Sequence, residues 1–254
     1  MPLKPIEHRL EERFRRYSAI TTQSDPHNLG KCIPSTPGQQ VLAELLAGEL
    51  RAMGLQDVIC DAHATVTAVK PGNVPGAPRI GFIYHLDTFD SGLCPHVKAQ
   101  KIHYTGGDVC LNAEKKIWMR LQEHPELNKY VGQDILFSDG TSVLGADDKA
   151  AIASVMEMIA SLDSREEKHG DIIVCFVPDE EDRLGRCEAS RRQGTFQRRL
   201  CLHARLLRAR GGRVRVLQRG ERDDQIYRCL GAPDVGQGRD GEPAADGCRL
   251  CFTF

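Results

Sequence analysis

The chain has 254 residues, of which 41% are hydrophobic and 27% are charged, and its formal net charge is −1. This length and composition can form one large domain or two smaller ones with a buried core, which argues against disorder throughout. The small net charge argues against a partner bound through overall charge, such as nucleic acid or an anionic membrane. No apolar stretch is long enough to span a bilayer, and residues 1–16 are charged where a signal peptide is apolar. We therefore expect a cytoplasmic protein.

The composition changes abruptly after Glu181. Residues 1–181 contain ten lysines and eight arginines, whereas residues 182–254 contain no lysine and sixteen arginines. Ten cysteines are scattered along the chain, and the one CxxC pair, Cys248 and Cys251, lacks a second pair at zinc-finger spacing. Reduced thiols are therefore expected. The sequence predicts a folded region over residues 1–181 and an unrelated, unstructured Arg-rich tail over residues 182–254.

The first strong element is a helix from Pro37 to about Met53, with Thr36 as its N-cap and Gln39 completing a capping box. Further elements follow in chain order: strands at residues 58–59, 64–69, 80–84 and 135–137, a helix at 148–162 and a strand at 172–177. Residues 88–134 contain turn signals, and no element is predicted there. The continuous apolar runs 80–84 and 172–177 are typical of strands covered on both faces. The pattern predicts an α/β fold with a central mixed sheet flanked by helices.

Three polar clusters lie beside these apolar runs. His85-Leu86-Asp87 follows one buried strand, Asp179-Glu180-Glu181 follows another, and Asp147-Asp148 opens the second helix. Because ligands of α/β sheets bind outside the carboxyl ends of strands, the three clusters are expected to share one site.

An imidazole combined with carboxylates suits zinc, cobalt or manganese. Asp147 is a candidate to bridge two metals, and of Glu180 and Glu181 one can bind metal while the other acts as general base. Asp87 can orient His85. Each cluster alone has a plainer interpretation: a satisfied His–Asp pair, an acidic helix start and a solvated loop. The order, spacing and strand-end positions together indicate a metal-dependent hydrolase.

Five motifs in this order resemble peptidase T, the tripeptide aminopeptidase family of the M20 zinc metallopeptidases. The resemblance covers about residues 7–181 and identifies this region as the N-terminal part of an M20-type catalytic domain. The motifs are Asn73-Val74-Pro75-Gly76, residues 80–88, Gly106-Gly107-Asp108, residues 144–150 and residues 169–181.

The resemblance implies roles for five residues. His85 would bind one zinc ion, Asp147 would bridge two zinc ions and Glu181 would bind the other. Glu180 would be the general base, and Asp87 would support the site through His85. The implied reaction removes the N-terminal residue of a tripeptide.

After Glu181 the sequence departs from this family. Family members continue with a Gly-containing loop, an aspartate ligand, a lid and dimerisation domain and a final histidine ligand, and none of these segments is recognisable here. A truncated catalytic domain with weak or no activity is therefore expected, and no homodimer. Two alternatives stay open: another M20 hydrolase, such as a dipeptidase or deacetylase, and a non-catalytic metal-binding fragment whose Arg-rich tail binds a partner. Nucleic acid is not favoured for the tail because its arginines are not interleaved with aromatic residues.

A frameshift near codon 182 would explain the change of composition. The codons that encode residues 188–192 permit Lys-His-Leu-Asp-Val when they are read one nucleotide later, and the family pattern requires such residues next. We expect resequencing of the coding DNA, read in all three frames, to show the lid and final histidine in a displaced frame. If no frame encodes them, the tail is genuine and the partner-binding alternative gains weight.

Overall fold

A computed structural model describes residues 5–28, 31–181 and 215–217 of the chain. It contains the α-helices Ile6–Ser18 (α1), Pro37–Ala52 (α2) and Ala146–Leu162 (α3) and the 3-10 helices Pro125–Tyr130 and Asp163–Arg165. The strands are Gln56–Cys60 (β1), Val66–Lys70 (β2), Ile80–His85 (β3), Ala99–Tyr104 (β4), Val109–Asn112 (β5), Ile117–Met119 (β6), Gln133–Ser138 (β7), Ile172–Val177 (β8) and Arg215–Leu217 (β9). The predicted strands and the two predicted helices are confirmed within a few residues.

The central sheet is mixed, as predicted. Its strand order is β1-β2-β8-β3-β9, with β3 parallel to both β8 and β9 and the remaining pairs antiparallel. In the parallel pair, His85 at the end of β3 lies opposite Val177 at the end of β8. The polar residues that follow these two strands therefore emerge at the same edge of the sheet.

The three α-helices pack against one face of this sheet. Their core residues Leu46, Met156 and Phe14 form one buried cluster with Val174 and Phe176 of β8. Alternate residues of β8 point to the other face, and all six residues of this strand are buried. The burial explains why this strand is a continuous apolar run and confirms that it is covered on both faces.

Residues 88–134, for which the sequence predicted no element, contribute to a smaller unit beside the main sheet. Strand β4 pairs with β7, strand β5 pairs with β6, and both pairs are antiparallel. Tyr104, Val109, Leu127 and Phe137 form a separate small core. None of the described helices is both long enough and apolar enough to cross a membrane.

Helix α1 is an element that the sequence analysis missed. Most of its residues are charged, but it buries Phe14 and Tyr17 and attaches to the other helices through ion pairs. Arg13 contacts both Glu49 of α2 and Glu157 of α3, the latter at 3.2 Å. The helix is therefore held by partners that are distant in sequence.

The predicted capping box at the start of α2 is wrong. Helix α2 begins after Thr36 as predicted, but the hydroxyl of Thr36 donates to the carbonyl of Gln23 at 2.8 Å and caps no helical N–H. The side-chain amide of Gln39 donates to Asp179 at 2.7 Å. The same amide lies 3.2 Å from the hydroxyl of Thr36, so Gln39 keeps a local contact but makes its shorter hydrogen bond to a residue distant in sequence.

Residues 182–214 and 218–254, which include the segment directly after the predicted boundary at Glu181, lie outside the described residues. The CxxC pair Cys248 and Cys251 lies there too. Of the tail, the structure describes Arg215–Leu217, which pair with Ile80, Gly81 and Phe82 of β3. The domain division stays a prediction.

The buried face of β8 gives a test of this packing. We expect Phe176→Ala to lower the free energy of unfolding by about 3–5 kcal/mol, because it leaves a cavity in the core. Phe89→Ala is the matched control, since Phe89 is 52% exposed. Its effect should stay within about 0.5 kcal/mol in the same urea titration. Equal effects of the two substitutions would contradict the packing described here.

Candidate metal centre

The site is built where β3 and β8 end. His85 is the last residue of β3, and the turn that follows is fixed because Leu86 donates its N–H to the carbonyl of Val177 at 2.8 Å. Asp87 is completely buried in this turn. The Asp179-Glu180-Glu181 segment follows β8 directly. The prediction that these two clusters share one edge of the sheet is confirmed.

The carboxylate of Asp87 joins the two strand ends. One oxygen accepts the N–H of Glu180 at 2.9 Å and the other accepts the N–H of Glu181 at 3.0 Å. The carbonyl of Asp87 also lies 3.1 Å from Nδ1 of His85. Because a carbonyl can only accept, this contact places a proton on Nδ1 and leaves Nε2 facing the site. The sequence predicted that Asp87 orients His85, and the backbone carbonyl makes the closer contact.

All three predicted ligands lie together. Nε2 of His85 is 3.2 Å from Oδ1 of Asp147. His85, Asp147 and Glu181 each offer one ligand atom, and these atoms all lie within 4.8 Å of one another. This is a donor set that could hold a metal ion. The assignment of individual residues as ligands stays a prediction.

Asp147 reaches this point because the start of α3 is irregular. Gly145 has a left-handed backbone with φ of 66°. Asp147 has non-helical backbone angles, with φ of −84° and ψ of 110°. A Cβ on Gly145 would lie 2.9 Å from the methyl group of Thr88. Asp147 and Asp148 do form the acidic helix start of the plainer interpretation, since both lie in the first turn of α3, although no side-chain hydrogen bond caps the helix at Gly145. Asp148 also accepts the N–H of His85 at 3.3 Å.

The electrostatics of the cluster favour positive charge at His85. Burial alone would lower the pKa of His85, but hydrogen bonds with Asp147 and Asp87 outweigh it and raise the pKa to about 11. Burial raises the pKa of Asp148 to about 7, with neighbouring carboxylates adding to the effect. Burial likewise raises the pKa of Glu180 to about 7, with Glu181 and Asp87 contributing. Acidic groups crowded in this way disfavour further negative charge and are stabilised by a cation.

Sequence reasoning missed several residues that surround the site. Lys149 is completely buried, and its ammonium donates to the carbonyl of Ile20 at 3.1 Å. Asp179 is completely buried between Ser35 and Gln39. Lys149 lies in the first turn of α3, where a polar side chain is usually solvated, and Asp179 follows β8, where a solvated loop is the usual expectation. Nothing local in the sequence therefore indicated these contacts.

Comparisons with known proteins identify the class of the matched region. No protein-family model matches the chain. A peptidase T-like protein of Yersinia pestis is 54% identical over 176 residues, which are 69% of this chain and 42% of the relative. A peptidase T-like protein of Rhizobium meliloti shows the same identity and coverage. Peptidase T of Brevibacillus brevis is 45% identical over 172 residues, covering 66% of this chain and 42% of the relative.

Two solved structures are also similar to the chain. The aminopeptidase PepT of Bacillus cereus is 22% identical, with 74% of this chain and 40% of that chain covered and a TM-score of 0.46. A tripeptidase of Staphylococcus aureus is 22% identical, with 69% and 37% covered and a TM-score of 0.46.

The matched region is related to the peptidases, as its motifs predict. Within that class, its curated relatives are peptidase T and peptidase T-like proteins. The chain spans about 42% of the length of the curated relatives that it matches.

The turn that places Asp147 can be tested with two identical substitutions. We expect Gly145→Ala to destabilise the chain by about 1–2 kcal/mol, because an L-residue is strained in the left-handed region. Gly48→Ala is the control: Gly48 lies inside α2, and a Cβ there meets nothing within 4 Å. It should stabilise by about 0.5–1 kcal/mol. Urea unfolding measures both, and stabilisation by Gly145→Ala would disprove the strained turn.

Proposed function

We propose that residues 1–181 form the N-terminal part of a zinc-dependent aminopeptidase that removes the N-terminal residue of tripeptides. The proposal rests chiefly on the clustering of His85, Asp147 and Glu181, whose ligand atoms lie within 4.8 Å of one another. Relatives named peptidase T support the substrate class. Zinc fits this donor set of one imidazole and two carboxylates.

The metal would be held by His85, Asp147 and Glu181. Zinc in such a site acts as a Lewis acid and lowers the pKa of water. Asp147 is suited to contact two ions because a carboxylate has two oxygens, and its side chain is 85% exposed. Asp87 would fix the position of His85 through its carbonyl and the position of Glu181 through its carboxylate.

Glu180 is the proposed general base. Its N–H is fixed by Asp87, and its chain neighbour Glu181 belongs to the triad. The Glu180 carboxylate would accept a proton from the attacking water and return it to the leaving amine. Of the two adjacent carboxylates, Glu181 would bind the metal and Glu180 would act as the base.

We further propose that the chain as given is weakly active or inactive. Within the described residues, His85, Asp147 and Glu181 supply one ligand atom each. A site for two zinc ions needs more protein ligands than these three residues offer. The peptidase T resemblance assigns the remaining ligands and the substrate-binding lid to segments that follow Glu181.

Zinc titration tests the proposed centre. We expect the purified chain to bind zinc weakly and below full stoichiometry in calorimetry, and Asp147→Ala to remove this binding. Asp108→Ala is the control, because Asp108 pairs with Arg120 beside β5 and outside the triad. Zinc binding that is unchanged in Asp147→Ala would refute the triad.

Tripeptide turnover tests the proposed loss of activity. We expect the chain to release no N-terminal residue from a tripeptide above background with added zinc. A dipeptide and an N-acetylated amino acid, assayed in parallel, cover the other M20 specificities. Robust release that disappears in Glu180→Gln would show an active enzyme, and the proposal of inactivity would fall.

A further inference from the structure

The Asp179-Glu180-Glu181 segment is held from two sides by buried hydrogen bonds. On one side Asp87 accepts the N–H groups of Glu180 and Glu181. On the other side Asp179 contacts the beginning of α2. The contacts between Asp179 and α2 have no part in the proposed chemistry, but they hold the residue directly before Glu180 and Glu181.

The contacts of Asp179 are unusually complete. One carboxylate oxygen accepts the amide of Gln39 at 2.7 Å and the hydroxyl of Ser35 at 2.5 Å, and the other accepts the N–H of Ser35 at 2.9 Å. In return, the N–H of Asp179 donates to the side-chain carbonyl of Gln39 at 3.0 Å. Gln39 therefore holds both the side chain and the backbone of Asp179. Both residues are fully buried.

The backbone of Asp179 needs such support. Its φ is 57°, in the left-handed region that L-residues rarely adopt. This conformation turns the chain at the end of β8, so that the next two N–H groups meet the carboxylate of Asp87. Without Gln39, the N–H of Asp179 would lose its acceptor, and the contacts of its carboxylate with Ser35 would remain to hold the turn.

We propose that Gln39 is a positioning residue for Glu180 and Glu181, acting through Asp179. The inference rests on the proposed function for its consequence, since Glu181 is a proposed metal ligand and Glu180 the proposed base. Gln39 bonds with Asp179, the residue that directly precedes them. It fixes the turn from which both side chains emerge, at a distance of 140 residues along the chain.

The turn itself provides the first readout. We expect Gln39→Leu, introduced into the full 254-residue chain, to abolish the hydrogen-exchange protection of the Glu180 and Glu181 amides. The amides of β8 serve as the internal reference, because a general loss of stability would affect them too. Protection of both amides that persists in Gln39→Leu would overturn the proposal.

The second readout is the affinity for Zn²⁺ alone. We expect Gln39→Leu to weaken it by about tenfold or more, the scale found when partners that orient metal ligands are removed. The matched control is Gln40→Leu, the neighbouring residue on α2, whose amide contacts Glu44 at 3.0 Å and not Asp179. Gln40→Leu should change neither the amide protection nor the zinc affinity.

An exchange of hydrogen-bond partners separates positioning from simple packing. Gln39→Glu alone places a carboxylate against Asp179 and should disrupt the turn. Combined with Asp179→Asn, it restores one donor and one acceptor between the two side chains, so amide protection should return. If the double variant is no better protected than Gln39→Glu, the proposed hydrogen-bond pairing is wrong.

The two readouts also separate this inference from the proposed function. Loss of amide protection in Gln39→Leu, with no zinc binding by the unmodified chain, would support the positioning role and disprove the metal centre. Zinc affinity and amide protection that are both unchanged in Gln39→Leu would disprove the positioning role and leave the metal centre standing.

Discussion

The arrangement of the candidate site depends on the buried carboxylate of Asp87. A fully buried charge is costly unless hydrogen bonds compensate it, and Asp87 obtains two from the N–H groups of Glu180 and Glu181. The same residue holds His85 through its carbonyl. The requirement to satisfy one buried carboxylate therefore joins the ends of β3 and β8 and brings Glu181 close to His85. Asp147 reaches the same point from the start of α3.

The parts of this arrangement that depend on local patterns could be predicted from sequence. The apolar runs at 80–84 and 172–177 identify β3 and β8. Only β8 is buried on both faces as its run predicts, because Ile80, Phe82 and Tyr84 of β3 are exposed or half-buried. Polar residues immediately after two parallel strands lie at one sheet edge, and β3 and β8 are parallel. The sequence therefore predicted that His85, Asp87, Glu180 and Glu181 lie together, and it placed Asp147 with them because its cluster opens the second predicted helix.

The contacts that could not be predicted are those between residues far apart in the chain. Gln39 bonds with a residue 140 positions away, and Arg13 of α1 pairs with Glu157 at a separation of 144 positions. The local interpretation of Gln39 as a capping residue was reasonable but wrong, since burial against Asp179 outweighs capping in the first turn. Helix α1 carried a usable signal, because Leu10, Phe14 and Tyr17 recur at helical spacing among many charges.

Several elements of the described chain meet around His85, Asp147 and Glu181. The parallel pair β3 and β8, the start of α3 and the first turn of α2 all lie before residue 182, and together they satisfy the buried polar groups around the triad. Catalytic zinc sites commonly use three protein ligands and leave one position open. His85, Asp147 and Glu181 match that number for one ion. A second ion would have to share Asp147 and draw its other ligands from residues outside this group. Binding of one ion therefore depends on residues before position 182, whereas chemistry with two ions depends on additional ligands.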